Sequence, residues 1–206
     1  MKILVACEKS GKVREAFKKL GHEVWSCDLL KSDIDSPNHF ECDVRLVLKK
    51  YTDWDLMIAH PPCTFMCNSG VSWLHKDDSR WEELRQAKEF FDHLWKANIK
   101  HICLENPIPH KYALLPPYTQ IIQPYQFGHP ERKATCLWLK NLPLLQETNN
   151  VYGEMKLLPK KESQRIHYTS PGKDRGMLRS ITFNGIADAM AEQWGKIPLT
   201  SLMGCE

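Results

Sequence analysis

Lys2-Ile3-Leu4-Val5-Ala6-Cys7 opens the chain, Glu8-Lys9-Ser10-Gly11 interrupts it, and a helical pattern and a second apolar run ending at Asp28 follow. The first run is short and apolar, the pattern of a buried strand. Ser10-Gly11 reads as a turn and helix cap. Val13, Ala16, Phe17 and Leu20 then recur at i, i+3, i+4 and i+7, which puts them on one face of an amphipathic helix. Gly21 suits the end of that helix. Residues 23–27 form the next strand, closed by Asp28. Strand, turn, helix, strand and then an acid about 20 residues past the turn is the opening unit of a nucleotide-binding α/β sheet.

The same alternation continues outward. Residues 31–39 are polar and read as a loop, 45–50 as a short helix, and 55–59 as a strand running into His60-Pro61-Pro62-Cys63. Residues 64–78 are mixed and loop-like. Ser79 with Glu82 forms a capping-box pattern, and the helix behind it places Leu84, Ala87, Phe91 and Leu94 on one face. Residues 100–104 are a strand ending in Glu105-Asn106-Pro107. Residues 108–118 read as a loop, 120–125 and 135–139 as strands, and Ile186, Met190 and Trp194 mark a final helix. The polar, basic stretch 146–179 shows little periodicity and reads as a loop or small irregular insert. Strands alternating with helices predict a doubly wound, mostly parallel sheet. The chain is expected to be one domain over 1–206.

The 206 residues are 42% hydrophobic, which argues against disorder. Net charge is +3, so the total neither demands nor forbids a nucleic-acid partner. Eight cysteines are present. Cys7, Cys27, Cys103 and Cys136 lie in apolar runs and read as buried free thiols. The opening run is too short for a signal peptide, and no apolar run approaches a membrane span. A reducing cytosol is the expected compartment.

Ligands bind beyond the C-terminal strand ends of such sheets. Cys63, Glu105, the Glu8–Gly11 turn and Asp28 all converge there. Two prolines stiffen the loop that presents Cys63. A thiolate paired with a carboxyl group suits one reaction: sulfur adds to C6 of a pyrimidine, while the carboxyl gives a proton to N3 and drains the developing charge. That role asks for a Glu105 held near neutrality by burial, and for a Cys63 more acidic than a free thiol. Cys63 and Cys67 with His60 and His75 also have zinc-like spacing, but no second ligand pair follows, and no metal site is expected. Trp25, Trp54, Trp73, Trp81 and Trp95 read as core or helix-face aromatics. Lys156, Lys160, Lys161, Arg165, Lys173, Arg175 and Arg179 form either a solvated loop or a phosphate-contacting arm.

These motifs resemble the DNA cytosine-5 methyltransferase family. His60-Pro61-Pro62-Cys63 is similar to the family's Pro-Cys nucleophile motif. Glu105-Asn106-Pro107 is similar to Glu-Asn-Val. Gln126-Phe127-Gly128-His129-Pro130-Glu131-Arg132-Lys133 is similar to a segment whose arginine supports the flipped base. Phe183-Asn184-Gly185-Ile186 is similar to the start of the last helix. The match spans most of the chain in motif order and looks nearest to short phage or prophage members. It implies a Rossmann-like fold, S-adenosylmethionine as cofactor and DNA as partner. Cys63 would be the nucleophile, Glu105 the acid on the base and Asn106 its positioner, with Lys133 on the base or its phosphate. The cofactor site would take Glu8, Ser10, Gly11, Asp28, Asp43, Val44 and Pro61. The sequence departs from the pattern at the glycine-rich first motif, where Glu8 replaces a glycine, and in a target-recognition region reduced to 146–179. Two other functions therefore stand beside DNA methylation: the same chemistry on a free pyrimidine nucleotide or single strand, and a non-catalytic nucleotide- or protein-binding phage factor.

Overall fold

The computed structural model describes residues 1–68, 71–170, 172 and 175–198. Strand β1 (Lys2–Ala6) leads through the 7–11 turn into helix α1 (Lys12–Lys19) and back to β2 (Glu23–Asp28). A short β3 (His39–Glu41) follows, then α2 (Val44–Lys50), β4 (Leu56–Ala59), α3 (Ser79–Trp95) and β5 (His101–Pro107). β6 (Gln120–Ile122) and β7 (Thr135–Lys140) complete the sheet. Three short helices come next, α4 (Tyr152–Leu157), α5 (Lys160–Ser163) and α6 (Arg175–Ser180), before α7 (Asn184–Trp194).

Among the described residues the seven strands form one sheet in the order β3-β2-β1-β4-β5-β7-β6. The strands β3 to β5 are parallel, and β7 runs antiparallel to both β5 and β6. This is the doubly wound, mostly parallel, Rossmann-like α/β sheet expected of the methyltransferase-type fold. Its strand order reverses between β1 and β4, the switch point at which doubly wound sheets hold their ligands, in a crevice beyond the strand ends.

Period-two alternation divides the core between the two faces. Ile3 and Val5 with Leu56 and Ile58 face Val13, Phe17, Met190 and Trp194. Leu4 and Ala6 with Met57 and Ala59 face Val44, Val47, Leu84, Phe91 and Leu94. Helices α1 and α7 therefore cover one face, and α2 and α3 the other. Leu20, counted on the apolar face of α1, is exposed.

Three expectations are corrected. The stretch 146–179 is not structureless: it carries α4, α5 and the start of α6, although Lys173 lies outside the described residues. The 31–39 loop gives way at His39 to an added edge strand. Ser79 is not a cap but the first residue of α3. Asp77 accepts from its amide (3.0 Å) and hydroxyl (2.6 Å), while Glu82 turns to Arg85. A carboxylate two residues upstream offers a shorter local bond than a capping box does.

Arg14 ties this frame together from inside. Its guanidinium is fully buried and donates to Ser26 Oγ (2.7 Å), Ser32 Oγ (3.2 Å), Ile34 O (3.0 Å) and Glu15 (2.9 Å). It thereby holds α1, β2 and the 29–38 loop in one arrangement. Gly11 caps α1 in a left-handed conformation (φ 69°), and a Cβ there would lie 2.8 Å from Arg14 Nη2 and 3.3 Å from Ile34 Cβ. Gly21 is also left-handed (φ 83°) but faces open space. Both lose about 1–2 kcal/mol as alanine from backbone strain alone. Gly11→Ala is expected to lose at least about 1 kcal/mol more than Gly21→Ala in urea unfolding, from the added crowding. Equal losses would remove the Arg14 contact from the explanation.

Candidate active site

Three neighbouring strands end at the crevice, and each delivers one buried ionisable group. Glu8 follows β1, His60 follows β4 and Glu105 lies in β5. His60 Nδ1 stands 2.6 Å from Glu105 Oε2, and both side chains are only 10% exposed. Burial by itself raises Glu105. The hydrogen bond and charge of His60, with the charge of Lys133, outweigh it and hold Glu105 below its ordinary value. Burial likewise lowers His60. Glu105, aided by the charge of Glu8, outweighs both burial and Lys133 and lifts His60 above its ordinary value. Each partner thus favours the charged form of the other. The expectation of a near-neutral Glu105 is therefore corrected: burial acts as foreseen, but His60 overrides it.

Cys63 lies just beyond this pair, half-buried, and feels the charge of Glu105. Its thiol is hydrogen-bonded to Cys67, and that bond, with burial and the neighbouring charges, pushes its pKa well above that of a free thiol. The expected acidic Cys63 is corrected accordingly. The loop is a tight turn in which Met66 and Cys67 amides both donate to Cys63 O (3.0 Å each). Among the described residues no group of three or more His, Cys, Asp or Glu could hold a metal ion.

Asn106 is almost fully buried and donates to Pro61 O (2.8 Å), locking the end of β5 to the buried first proline of the loop. It positions the Cys63 loop rather than Glu105. Two polar atoms here, His60 Nε2 and Asn106 Oδ1, are buried without a hydrogen-bond partner. Lys133 Nζ donates to Ile181 O (3.3 Å) and lies over the Phe183 ring (5.9 Å).

The residues expected at the cofactor divide into two groups. Glu8 is 3% exposed, and its carboxylate accepts from the Val13 (2.7 Å) and Arg14 (3.2 Å) amides. It acts as an internal anion at the N-terminus of α1, satisfying donors the helix cannot satisfy itself. Burial, the largest influence, keeps its pKa raised against the pull of His60 and those amides. Ser10 reaches Glu8 (3.4 Å) and the Lys12 amide (3.4 Å). Glu8, Ser10 and Gly11 thus build the turn and turn inward, and Val44 is a core residue.

Asp28 and Asp43 form the second group, with Cys7, read only as a buried thiol, between them, and Pro61 is buried in the Cys63 loop. Asp28 is half-buried and accepts from the Leu30 amide (3.0 Å). Cys7 is left-handed (φ 57°). Burial first, then the charges of Asp28 and Asp43, push its thiol up to about 12. Asp43 caps α2 by accepting from the Arg45 amide (2.8 Å) and pairs with the Arg45 guanidinium. Asp28 is the carboxylate at this corner that fits the hydroxyl donors of an adenosine, since both oxygens of Asp43 already accept from Arg45. The α1 amides do not fit the methionine carboxylate, since Glu8 already uses them.

His60, weighed in the sequence only as a possible zinc ligand, is the partner of Glu105 that sequence reading missed. Its signal was present: an ionisable residue ending an apolar strand, fixed by two prolines.

No protein-family model and no curated protein matches the chain. Among solved structures, the chain is similar to an Escherichia coli protein described as a DNA modification methyltransferase encoded within a prophage. The TM-score is 0.47 and the identity 16%, over 78% of this chain and 56% of that one. The chain thus spans little more than half the length of that protein. Among the described residues no helix is long and apolar enough to cross a membrane.

The ion pair has a defined pH window. Glu105's share is present above its ordinary value of 4.5 and lost as pH falls through its lower folded value. His60's share is present below 6.5 and lost as pH rises through its higher folded value. His60→Gln is expected to cost about 3–5 kcal/mol near pH 6, the usual loss on stranding a buried charge. That loss should shrink as pH rises past the folded His60 value. A pH-independent loss in thermal melts would contradict the ion pair.

Proposed function

We propose that this chain transfers a methyl group from S-adenosylmethionine to C5 of cytosine in DNA. The observation that carries the proposal is the meeting of the Cys63 thiol and the proton-sharing His60–Glu105 pair at the ends of adjacent strands β4 and β5. A stacked base hides C6, so the target base must be extruded. Displacement of Cys67 from Cys63 by the entering base removes the bond that most raises the thiol's pKa. As the Cys63 sulfur bonds to C6, its proton leaves to water. The proton held between His60 and Glu105 passes to N3, so the ring's charge is drained and C5 becomes nucleophilic. S-adenosylmethionine would be held with its adenosine at Asp28, beside Asp43, and would supply the methyl group. Water takes the C5 proton as the C6–S bond breaks with its electrons on sulfur, Cys63 regains a proton from water, and N3 returns its own to the Glu105–His60 pair. Lys133 keeps positive charge beside the carboxylate throughout.

The helices available for reading sequence, α4 to α6, have six, four and six residues. This favours weak sequence selectivity, and it also supports a second reading in which an unpaired cytosine or a free pyrimidine nucleotide is the substrate, since neither requires extrusion from a duplex.

Oligonucleotides carrying 5-fluorocytosine are expected to be trapped covalently through Cys63 when the cofactor is present, because fluorine cannot leave C5 as a proton does. Peptide mass spectrometry should find the adduct on Cys63 and none in Cys63→Ser. An adduct on Cys67 would overturn the assignment. For the cofactor, Asp28→Ala is expected to weaken S-adenosylmethionine binding by about 1.5–3 kcal/mol in calorimetry, the worth of hydrogen bonds to a charged group. An unchanged affinity would remove Asp28 from the site.

A further inference from the structure

A cleft of about 580 Å³ opens beside the proposed active site, between the 129–131 loop, the start of α7, the end of α6 and the segment that follows α5. Its walls come from distant parts of the chain and carry Lys12, Lys161 and Arg165 against one acid, Glu131. Glu131 is already paired with Arg165 (2.8 Å). His129, whose pKa burial lowers, adds no charge at neutral pH. Tyr168, half exposed at 49%, supplies an aromatic face. Ile181 and Phe183 form the wall toward Lys133, which donates to Ile181 O and covers the Phe183 ring. Lys133 in turn acts electrostatically on His60 and Glu105. Lys133 therefore links one wall of the cleft to the proton pair.

Cations spaced along a groove with an aromatic platform are how proteins hold single-stranded nucleic acid without reading its sequence. We infer that this cleft is the track for one nucleic-acid strand entering the site, with phosphodiesters on Lys12, Lys161 and Arg165 and a base stacked on Tyr168. The inference rests on the proposed action on cytosine in a polynucleotide, and it assigns a role to the basic segment.

The test uses the full chain as Cys63→Ser and a fluorescent single-stranded oligothymidylate, so that binding is read apart from chemistry. Affinity should fall steeply with salt. Lys12→Ala with Lys161→Ala should flatten the log–log salt slope by about 1.4, from ~0.7 per phosphate contact on a single strand. Tyr168→Ala should weaken binding about tenfold. The control is Lys49→Ala with Lys96→Ala, lining a second cleft between α2 and α3 at the other end of the sheet, and it should leave both affinity and slope unchanged. All of these residues except Lys12 are exposed, and matched melting temperatures verify folding. Cleft variants that bind like the parent, or a larger effect from the control, would overturn the inference. So would a parent that binds no oligonucleotide. In that last case, trapping of a free 5-fluorinated pyrimidine nucleotide on Cys63 would show that the chemistry stands and only the strand track has failed.

Discussion

A histidine held between two buried carboxylates sets the terms for everything else at the sheet's C-terminal edge. His60 lies 2.6 Å from Glu105 on one side and under the influence of Glu8 on the other. None of the three tolerates burial alone, because an unpaired charge in a low-dielectric interior is costly. His60 and Glu105 are bonded directly, Glu8 acts on His60 through its charge, and the three stand at the ends of β1, β4 and β5. The Cys63 loop hangs from this row through Asn106 and Pro61, and α1 hangs from it through Glu8.

The departure from a glycine-rich first turn has its physical reason here. A glycine turn leaves the helix amides free for a ligand. Glu8 fills that place with the protein's own carboxylate, and Arg14 beneath Gly11 makes the turn rigid from inside. The first amides of α1 thus serve internal order. Under the proposed function the Asp28–Cys7–Asp43 corner would then carry the adenosine side of the cofactor.

Much of the fold was legible in residue patterns. The runs at Ile3–Val5 and Met57–Ile58 and the faces of α1, α3 and α7 carry the periods of buried strands and amphipathic helices, and each formed where its pattern put it. The antiparallel entry of β7 was not legible, since a six-residue apolar strand has the same pattern in either direction. The edge strand at His39 and the short helices after Tyr152 were also hidden, because tertiary contact rather than local propensity maintains elements of three to six residues. At the site, Cys63 and Glu105 were legible as chemistry-bearing types at strand ends. Their protonation was not. It depends on His60 and Cys67, whose distances from Glu105 and Cys63 only the folded chain defines. The same holds for Asp43, read as a ligand contact: that it also caps α2 and pairs with Arg45 is defined only by the folded chain.

The central claim is that Cys63 and the His60–Glu105 pair activate C5 of a cytosine. Attack at C6 makes the C5 hydrogen exchangeable, so release of tritium from cytosine labelled at C5 reports this step directly. The account predicts tritium release from a labelled oligonucleotide with the intact protein, none with Cys63→Ala, and a strong reduction with Glu105→Gln that changing the pH does not restore. Release that persists in Cys63→Ala, or its absence from the intact protein with cofactor and oligonucleotide both bound, would contradict it.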